Sequence, residues 1–352
     1  MRELGLLEEF LKLPHEEIHE MVAVINGITL TIADLSHVPA KCKFIAMMPQ
    51  WHFLNFLAEK AREYPDFKLL METTATELVE SDGRMTGVRA QSGGGELVVN
   101  ADLVVAADGR YSEMRKQAGF EVMELAAPID VLWMRFSFRP GDPHATGGRI
   151  YPGHILAMLN RGDYWQCASV VPKGGYEKLR AAGIKAFQEE IVKVAPFLQG
   201  RMNEIDDWEK IKLLTVLVNR LRQWARPGLL CIGDAAHAMS PIGGVGINLA
   251  IQDAVATANL LAGPLRQGAP SLVELQAVQR RREWPTKMTQ RLQVAAQNNI
   301  MAPILAGTTR PSGLAFPMRM LKRFPVLRRI PARLVGIGFR PEHVAGFLRQ
   351  AA

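Results

Sequence analysis

The chain has 352 residues and a mass of 39.0 kDa, which is enough for two domains of ordinary size. Hydrophobic residues make up 48% of it and charged residues 22%, and these proportions exclude a disordered chain, a collagen-like fibre and a coiled coil. The formal net charge is +7, from 42 basic and 35 acidic residues, so the protein is basic overall.

The amino-terminal residues and the cysteines indicate a cellular compartment. Residues 1–9 carry acids where a secretion signal would carry bases, and they predict a short amphipathic helix. Cys42, Cys167 and Cys231 are far apart and lack CxxC spacing, which argues against a disulfide framework and a cysteine-ligated zinc. The eight histidines show no ligand spacing that cysteines complete, so we predict a cytoplasmic protein without a metal site.

The first third of the chain predicts one helix followed by short strands. The stripe of Trp51, Leu54, Ala58 and Ala61 indicates a helix over residues 50–64. Turn-forming residues separate the β-rich runs that follow, and an apolar strand comes directly after them. The predicted strands are Phe67–Glu72, Thr74–Val79, Met85–Ala90, Glu96–Val99 and Leu103–Ala107.

The rest of the chain predicts an antiparallel sheet and then helices. Alternating side chains between Ile129 and Val171 indicate several strands of a separate sheet. A helix, a strand, a second helix and a mostly helical tail follow, and Pro285 should interrupt that tail. These segments are Gly175–Val194, Lys212–Val218, Gly246–Leu261 and the residues after Leu272.

The most specific motif covers Gly228–Ala250. A short apolar strand, Leu229–Ile232, ends in Gly233 and Asp234, and a glycine-rich loop then leads into a long helix. Small residues beside Asp234 let a flat ligand approach the backbone, and the aspartate can accept hydrogen bonds from ligand hydroxyls. Free N–H groups at the start of the helix favour an anion. The combination favours a ligand site over a plain turn.

A weaker motif of the same kind lies about 125 residues earlier. The strand Leu103–Ala107 ends in Asp108 and Gly109, and Ser112 is a good N-cap for a short helix that closes at Gly119. Taken alone, a strand that ends in Asp-Gly before a helix is common in α/β folds.

Together, in this order, the two motifs resemble the group A flavoprotein monooxygenases of the para-hydroxybenzoate hydroxylase type. The DGxxSxxR pattern of that family matches Asp108, Gly109, Ser112 and Arg115, and its GDAAHxxxPxGGxGxN pattern matches the residues from 233 to 248. Met48-Pro49-Gln50 gives a softer third match. The resemblance covers residues 1 to about 300 and fades in the tail.

The resemblance implies a fold, a cofactor and a set of site residues. The fold would be mixed α/β: a glutathione-reductase-like FAD domain, an antiparallel substrate-domain sheet and carboxy-terminal helices. FAD would be the cofactor and NAD(P)H the reductant, with the carbonyl of Pro241 beside the substrate ring as the catalytic contribution and His237 in a mainly structural role. The residues implied in FAD binding are Gln50, Asp108, Gly109, Arg110, Gly233, Asp234, Gly243, Gly244, Gly246, Ile247 and Asn248.

The resemblance also divides the chain into domains. The family's first βαβ unit, with its GxGxxG sequence and ribose-binding acid, is not found in these 352 residues. We therefore expect either that Met1 is an internal methionine of a longer protein or that the gene product is truncated. The implied parts are an incomplete FAD-binding domain (1–20, 45–120 and 219–262), a substrate-binding sheet domain (21–44 and 121–218) and a helical region (263–352).

The function implied is the hydroxylation of an aromatic or polycyclic small molecule through a flavin C4a-hydroperoxide. That intermediate must be protected from water, and the antiparallel sheet is the expected cover. Trp133, Arg135, Phe136 and Met158 are candidate pocket residues on it. Two alternatives stay open: a flavin-dependent dehydrogenase or reductase of an apolar substrate, and a flavin-free remnant that acts as a binding protein.

The tail carries most of the basic excess. Between Arg310 and Arg349, nine Lys or Arg accompany one acid, Glu342. Five prolines break this segment, so we favour a solvated set of short helices, and a weak contact with a membrane surface is the alternative. We predict no nucleic-acid partner, and the sequence leaves the oligomeric state open.

Overall fold

The structure is a computed structural model, and it describes residues 1–307 and 316–346. Arg310, Pro311 and Arg349 of the predicted basic tail therefore lie outside the described residues. The strands are β1 Glu16–Ile18, β2 Glu20–Ile25, β3 Ile28–Asp34, β4 Ile45–Met47, β5 Thr74–Ser81, β6 Arg84–Ser92, β7 Gly95–Asn100, β8 Val104–Ala106, β9 Val122–Leu125, β10 Ile129–Ser137, β11 Gly147–Tyr151, β12 His154–Asn160, β13 Tyr164–Pro172, β14 Lys212–Leu214, β15 Val218–Leu221, β16 Ala225–Arg226 and β17 Leu229–Cys231. The α-helices are α1 Leu7–Phe10, α2 Gln50–Ala61, α3 Glu113–Gln117, α4 Tyr176–Ala182, α5 Ile184–Val194, α6 Gly246–Gln267, α7 Leu272–Ala296, α8 Ala302–Leu305, α9 Phe316–Arg323 and α10 Arg329–Gly336.

The mixed α/β fold class is confirmed, and most predicted elements are present. One predicted strand, Phe67–Glu72, is wrong: the segment is loop and turn, and Glu72 has a φ of +53°, which a strand does not accept. The predicted helix Gly175–Val194 is two helices, because Gly183 takes a φ of +91° between them. The predicted strand Lys212–Val218 likewise divides into β14 and β15.

The largest sheet has seven strands in the order β14-β10-β13-β12-β11-β2-β3. All neighbouring strands are antiparallel except β11 and β2. One face of β10, with Leu132, Met134 and Phe136, packs against α5 and the 3-10 segment after it. The other face, with Ile129 and Val131, packs against the glycine-rich loop and α8. The sheet therefore separates two apolar cores.

A small sheet in the order β16-β17-β8 carries the two motifs. Its central strand β17 is fully buried, and β8 pairs with it in parallel. Apolar residues of α3, α6 and α7 surround this sheet, so a core of its own holds it in place. The hairpin sheet β5-β6-β7 lies beside it, since Met85 N–H donates to Pro227 O over 2.9 Å.

Helices α6 and α7 form the long carboxy-terminal pair. Pro285 was expected to interrupt the tail, but α7 runs straight through it. Burial offsets the lost backbone bond, because Pro285 and Thr286 are both buried in the protein. The segment Ile242–Gln267, which includes α6, is long and apolar enough to cross a membrane, yet core helices meet the same criteria and its Asp253 is fully buried in ion pairs.

Candidate functional site

The two glycine-acid motifs meet at one edge of the small sheet. Strands β8 and β17 are parallel and in register, with Val104 opposite Leu229 and Ala106 opposite Cys231. The N–H of Ile232 extends the ladder by donating to Ala106 O over 3.0 Å. Because the carboxyl ends of parallel strands lie at the same edge, Asp108-Gly109 and Gly233-Asp234 follow their strands side by side. The structure thus brings the two motifs together at one edge.

Two arginines of the earlier motif join the strand ends. Arg115 is buried, and its guanidinium donates to Ala235 O over 3.2 Å and to Arg110 O over 2.5 Å. Arg110 in turn lies 3.4 Å from Asp234, from Nη2 to Oδ2, and both side chains are about 30% exposed. Arg115 thus holds the strand ends together, while Asp234 keeps one carboxylate oxygen available for a ligand.

The helix after Asp108 uses that residue as a cap. Ser112 is the N-cap of α3, as predicted, and its hydroxyl accepts from Arg115 N–H. The carboxylate of Asp108 accepts from Met114 N–H over 3.2 Å. Gly109 has a φ of +86°, which favours glycine at the turn between strand and helix. Two side-chain caps and one glycine thus define the turn, and Asp108 is exposed at the sheet edge.

The glycine-rich loop exposes backbone toward solvent. Gly243 and Gly244 have φ angles of +76° and +64° and are exposed. Helix α6 starts at Gly246 without a side-chain cap, so the first N–H groups of the helix, around Ile247 and Asn248, have no side-chain acceptor at the cap. A dipolar or anionic group of a ligand could accept from these donors.

A buried charge network lies directly beneath the loop. Asp253 on α6 is fully buried and accepts from Gly233 N–H over 3.0 Å and from His237 Nε2 over 2.6 Å. Its second oxygen accepts from Arg282 Nε of α7 over 2.9 Å. Burial alone would raise the pKa of Asp253, but the charges and hydrogen bonds of His237 and Arg282 outweigh it and hold that pKa below its usual value. His237, itself 1% exposed, lies in a structural position.

Three glutamines of α7 and its extension hold the other end of the loop. Gln290, Gln293 and Gln297 are buried at helical spacing, and we call them the glutamine ladder. The amide of Gln293 accepts from Ser240 N–H over 3.2 Å and donates to Ser240 O and Ile242 O over 3.0 and 2.9 Å.

The other two residues of the glutamine ladder, Gln290 and Gln297, make further hydrogen bonds to this region. Gln290 donates to Asn219 O and Ala238 O, and Gln297 donates to Ser240 Oγ over 2.7 Å from within a π-helical turn. The glutamine ladder therefore forms hydrogen bonds with both sequence neighbours of Pro241, which are Ser240 and Ile242. The carbonyl of Pro241 accepts from Gly244 N–H over 3.1 Å.

Gln50, the third predicted contact, sits on a different element. It is the exposed first residue of α2, directly after Pro49. The carbonyl of Met48 accepts from Arg161, in the turn between β12 and β13, over 2.9 Å, and burial lowers the pKa of that arginine. No hydrogen bond or ion pair in the described part of the chain joins Gln50 to either strand end.

The candidate pocket residues divide between the two faces of the large sheet. Trp133 belongs to the face that packs against Ile242 and the α8 region. Phe136 and Met158 were wrong as pocket residues, because strand alternation puts them in the opposite core. Arg135 is exposed and stacks on Tyr164 with its guanidinium carbon 3.7 Å from the ring centroid.

Sequence reasoning missed the buried polar residues that support the loop. Asp253 is the single acid of α6, and a lone acid in an apolar helix is a signal of a buried partner. The glutamine ladder gave no such signal, since glutamines on a helix are ordinarily solvated. Among the described residues, no cluster of three or more His, Cys, Asp or Glu could hold a metal ion.

A family model described as "FAD binding domain" matches residues 1–292. The chain is also 36% identical over 309 residues to 6-methylpretetramide 4-monooxygenase of Streptomyces rimosus. That alignment covers 87% of this chain and 73% of the relative.

Two solved structures of bacterial proteins share this fold. OxyS anhydrotetracycline hydroxylase from Streptomyces rimosus superposes with a TM-score of 0.72 at 21% identity, over 97% of this chain and 66% of that one. PqsL of Pseudomonas aeruginosa, solved in complex with 2-aminobenzoylacetate, superposes with a TM-score of 0.72 at 22% identity, over 87% and 85% of the two chains. At these identities the likeness shows the fold.

Proposed function

The chain belongs to the FAD binding domain family, and on that premise we propose that it hydroxylates an aromatic or polycyclic small molecule with FAD as cofactor and NAD(P)H as reductant. The observation that carries this proposal is the shared sheet edge, where Asp108-Gly109 and Gly233-Asp234 stand beside an exposed glycine loop. The relationship to a 6-methylpretetramide 4-monooxygenase supports a polycyclic substrate.

The residues present fit the ribityl and ring portion of FAD. Asp234 has a part-exposed carboxylate that can accept from a ribityl hydroxyl. A Cβ added at Gly244 would meet nothing within 4 Å, and one at Gly246 would meet only Met239 Cβ at 3.6 Å, so the loop leaves open space for a flat ring. The N–H groups around Asn248 can donate to ring carbonyls. We propose Gln50, Asp108, Gly109, Arg110 and Gly243 as further contacts.

When bound, FAD supplies the oxygen-activating redox chemistry, and the protein supplies position and protection. The glutamine ladder holds the glycine-rich loop, and this loop would position the carbonyl of Pro241 so that it orients the substrate ring. Trp133 and the apolar face around it would cover the ring side and exclude water. We place these steps in the cytoplasm, where all three cysteines would stay reduced. Cys167 and Cys231 are buried, and burial raises the pKa of each thiol to about 12.

Flavin binding is tested by titrating FAD fluorescence with the 352-residue chain. Within the described residues the small sheet ends at β8, and no strand pairs with its outer edge. Because the contacts proposed above cover the ribityl and ring portion of FAD, we expect a dissociation constant in the micromolar range or weaker, about −8 kcal/mol or less favourable.

Asp234→Ala should weaken this binding by about 1.5–3 kcal/mol, the value for a hydrogen bond to a charged group. The control, Asp163→Ala, removes an exposed acid of the turn between β12 and β13 and should leave the affinity unchanged. Equal affinities of the two variants would contradict the role of Asp234.

The reaction class is tested by oxygen uptake. A hydroxylase should consume NAD(P)H and oxygen together when a polycyclic phenol is added. A reductase of an apolar substrate should consume NAD(P)H without oxygen, and a flavin-free binding protein should consume neither. Measuring both consumption rates against substrate concentration separates the three outcomes.

A further inference from the structure

We propose that the segment Phe316–Arg340, with the 3-10 turn Pro325–Arg328 between α9 and α10, is a docking surface for anionic lipid membranes. We call it the docking segment. It contains seven Arg or Lys and no Asp or Glu. The proposal does not depend on the reaction proposed above.

The docking segment exposes apolar side chains among its bases. Phe316, Val326 and Ile330 are each 57% or more exposed, and Phe324 is 44% exposed. Apolar side chains at such exposure contribute little to folding, whereas insertion below lipid headgroups removes them from water. The mixture of exposed aliphatic, aromatic and cationic side chains on short helices is typical of interfacial segments.

Four bases of this surface have no acidic partner among the described residues, whereas Arg328 donates to Leu321 O and Arg329 lies 3.0 Å from His37 Nε2. In the described ranges, no carboxylate lies within ion-pair distance of Arg319, Lys322, Arg323 or Arg333. The guanidinium of Arg323 stacks over Phe324 with its carbon 5.6 Å from the ring centroid, so a cationic and an aromatic side chain lie next to each other on this surface. An anionic surface would complement this field, and each base near such a surface contributes about 1 kcal/mol.

The inner side of the docking segment is anchored to the protein. Ala332 of α10 is buried against Ala33 and Leu35, beside the edge strand β3 of the large sheet. Val335 packs against Met239 and Val245 of the glycine-rich region. The exposed side chains are therefore held on a folded support that reaches both the sheet edge and the candidate site, and membrane contact needs no unfolding.

A lipid surface fits these features better than a nucleic acid does. Phosphate groups of a nucleic acid would satisfy the bases, and aromatic rings could stack on bases of a single strand. Val326 and Ile330 would gain nothing from either contact, yet they are among the most exposed side chains of the segment. Insertion at the boundary between lipid headgroups and acyl chains would stabilise the basic, the aromatic and the aliphatic side chains together.

Vesicle sedimentation tests the proposal with the full chain. We expect binding to vesicles of phosphatidylcholine and phosphatidylglycerol in equal parts, weaker binding in high salt, and none to pure phosphatidylcholine. The triple variant Arg319→Gln, Lys322→Gln, Arg323→Gln should bind about a hundredfold more weakly, since each base accounts for about fivefold. Its control is Lys178→Gln, Arg180→Gln, Lys185→Gln on α4 and α5, with the same loss of charge.

Equal binding of the two triple variants would overturn the proposal, because net charge would then be the cause. Binding to duplex DNA but not to anionic vesicles would also overturn it, as would no binding to either.

A second pair of variants tests insertion separately from charge. Val326→Ser should release the protein from anionic vesicles at least several-fold more readily, while Val273→Ser on α7, where the valine is 67% exposed against 57% for Val326, should not. Circular dichroism of each variant establishes that it is folded. If both variants bind like the parent chain, the apolar side chains do not insert and the proposal fails.

Discussion

Arg282→Met should be the most destabilising single change in the buried charge network. Arg282 is fully buried, and its guanidinium donates to Asp253 Oδ1 over 2.9 Å, to Gln252 Oε1 over 3.3 Å and to Arg340 O over 3.3 Å. Methionine fills much of the same volume but leaves the carboxylate of Asp253 with His237 alone as a side-chain partner. Removing one partner of a buried ion pair costs about 3–5 kcal/mol, a large part of the stability of an ordinary domain.

The effect should reach the candidate site as well. The same carboxylate that Arg282 holds also accepts from Gly233 N–H, which fixes the strand end beside Asp234. A shift of Asp253 would therefore disturb the loop, so weaker FAD binding should accompany the loss of stability.

Urea unfolding followed by circular dichroism measures the loss. Arg222→Met is the control, because Arg222 pairs with Glu121 over 2.5 Å while both side chains are more than half exposed. Removing a pair at that exposure should cost less than about 1 kcal/mol. A loss below about 1 kcal/mol for Arg282→Met, or equal losses for the two variants, would refute the reasoning.

Three further outcomes follow from the site. Gly246→Val should abolish flavin binding but leave a folded protein, because the added Cβ would meet only Met239 Cβ at 3.6 Å; a flavin-binding variant with normal circular dichroism would contradict it. Gln293→Leu should lower stability by about 1–3 kcal/mol in urea, since it leaves the buried groups of residues 240–242 unpaired, and its flavin affinity should fall with it. The free energy of unfolding should decline as the pH falls below about 4, because the pKa of Asp253 is lower in the folded than in the unfolded chain. At low pH the unfolded chain therefore binds the proton more tightly. Urea midpoints measured from pH 3 to 7 should show this decline, and Asp253→Asn should reduce it.

Local patterns predicted the parts of the fold that depend on neighbouring residues. The helix at Gln50 and the N-cap at Ser112 are present where the sequence predicted them. The mixed α/β class and the relationship to flavin monooxygenases likewise followed from two short motifs. The helix and the cap depend on apolar spacing and capping within a few residues of the chain, so they can be predicted without a distant partner, whereas the family relationship came from the resemblance of the motif residues.

Features that need a distant partner were decided by the tertiary structure. Pro285 lies within an unbroken α7 because burial against the rest of the protein offsets a lost backbone bond. Phe136 alternates correctly along β10, but the strand pattern by itself does not say which core each face meets.

The same limit applies to the support of the site. Asp253, Arg282 and the glutamine ladder come from helices whose partners lie 16 to 71 residues away along the chain. Apart from the lone acid Asp253, these side chains have the sequence pattern of polar surface residues, and only the packing of α7 against α6 and against residues 219 and 238–242 removes them from water. Burial then makes each hydrogen bond obligatory, which is why the motif residues were predictable while the residues that hold them in place were not.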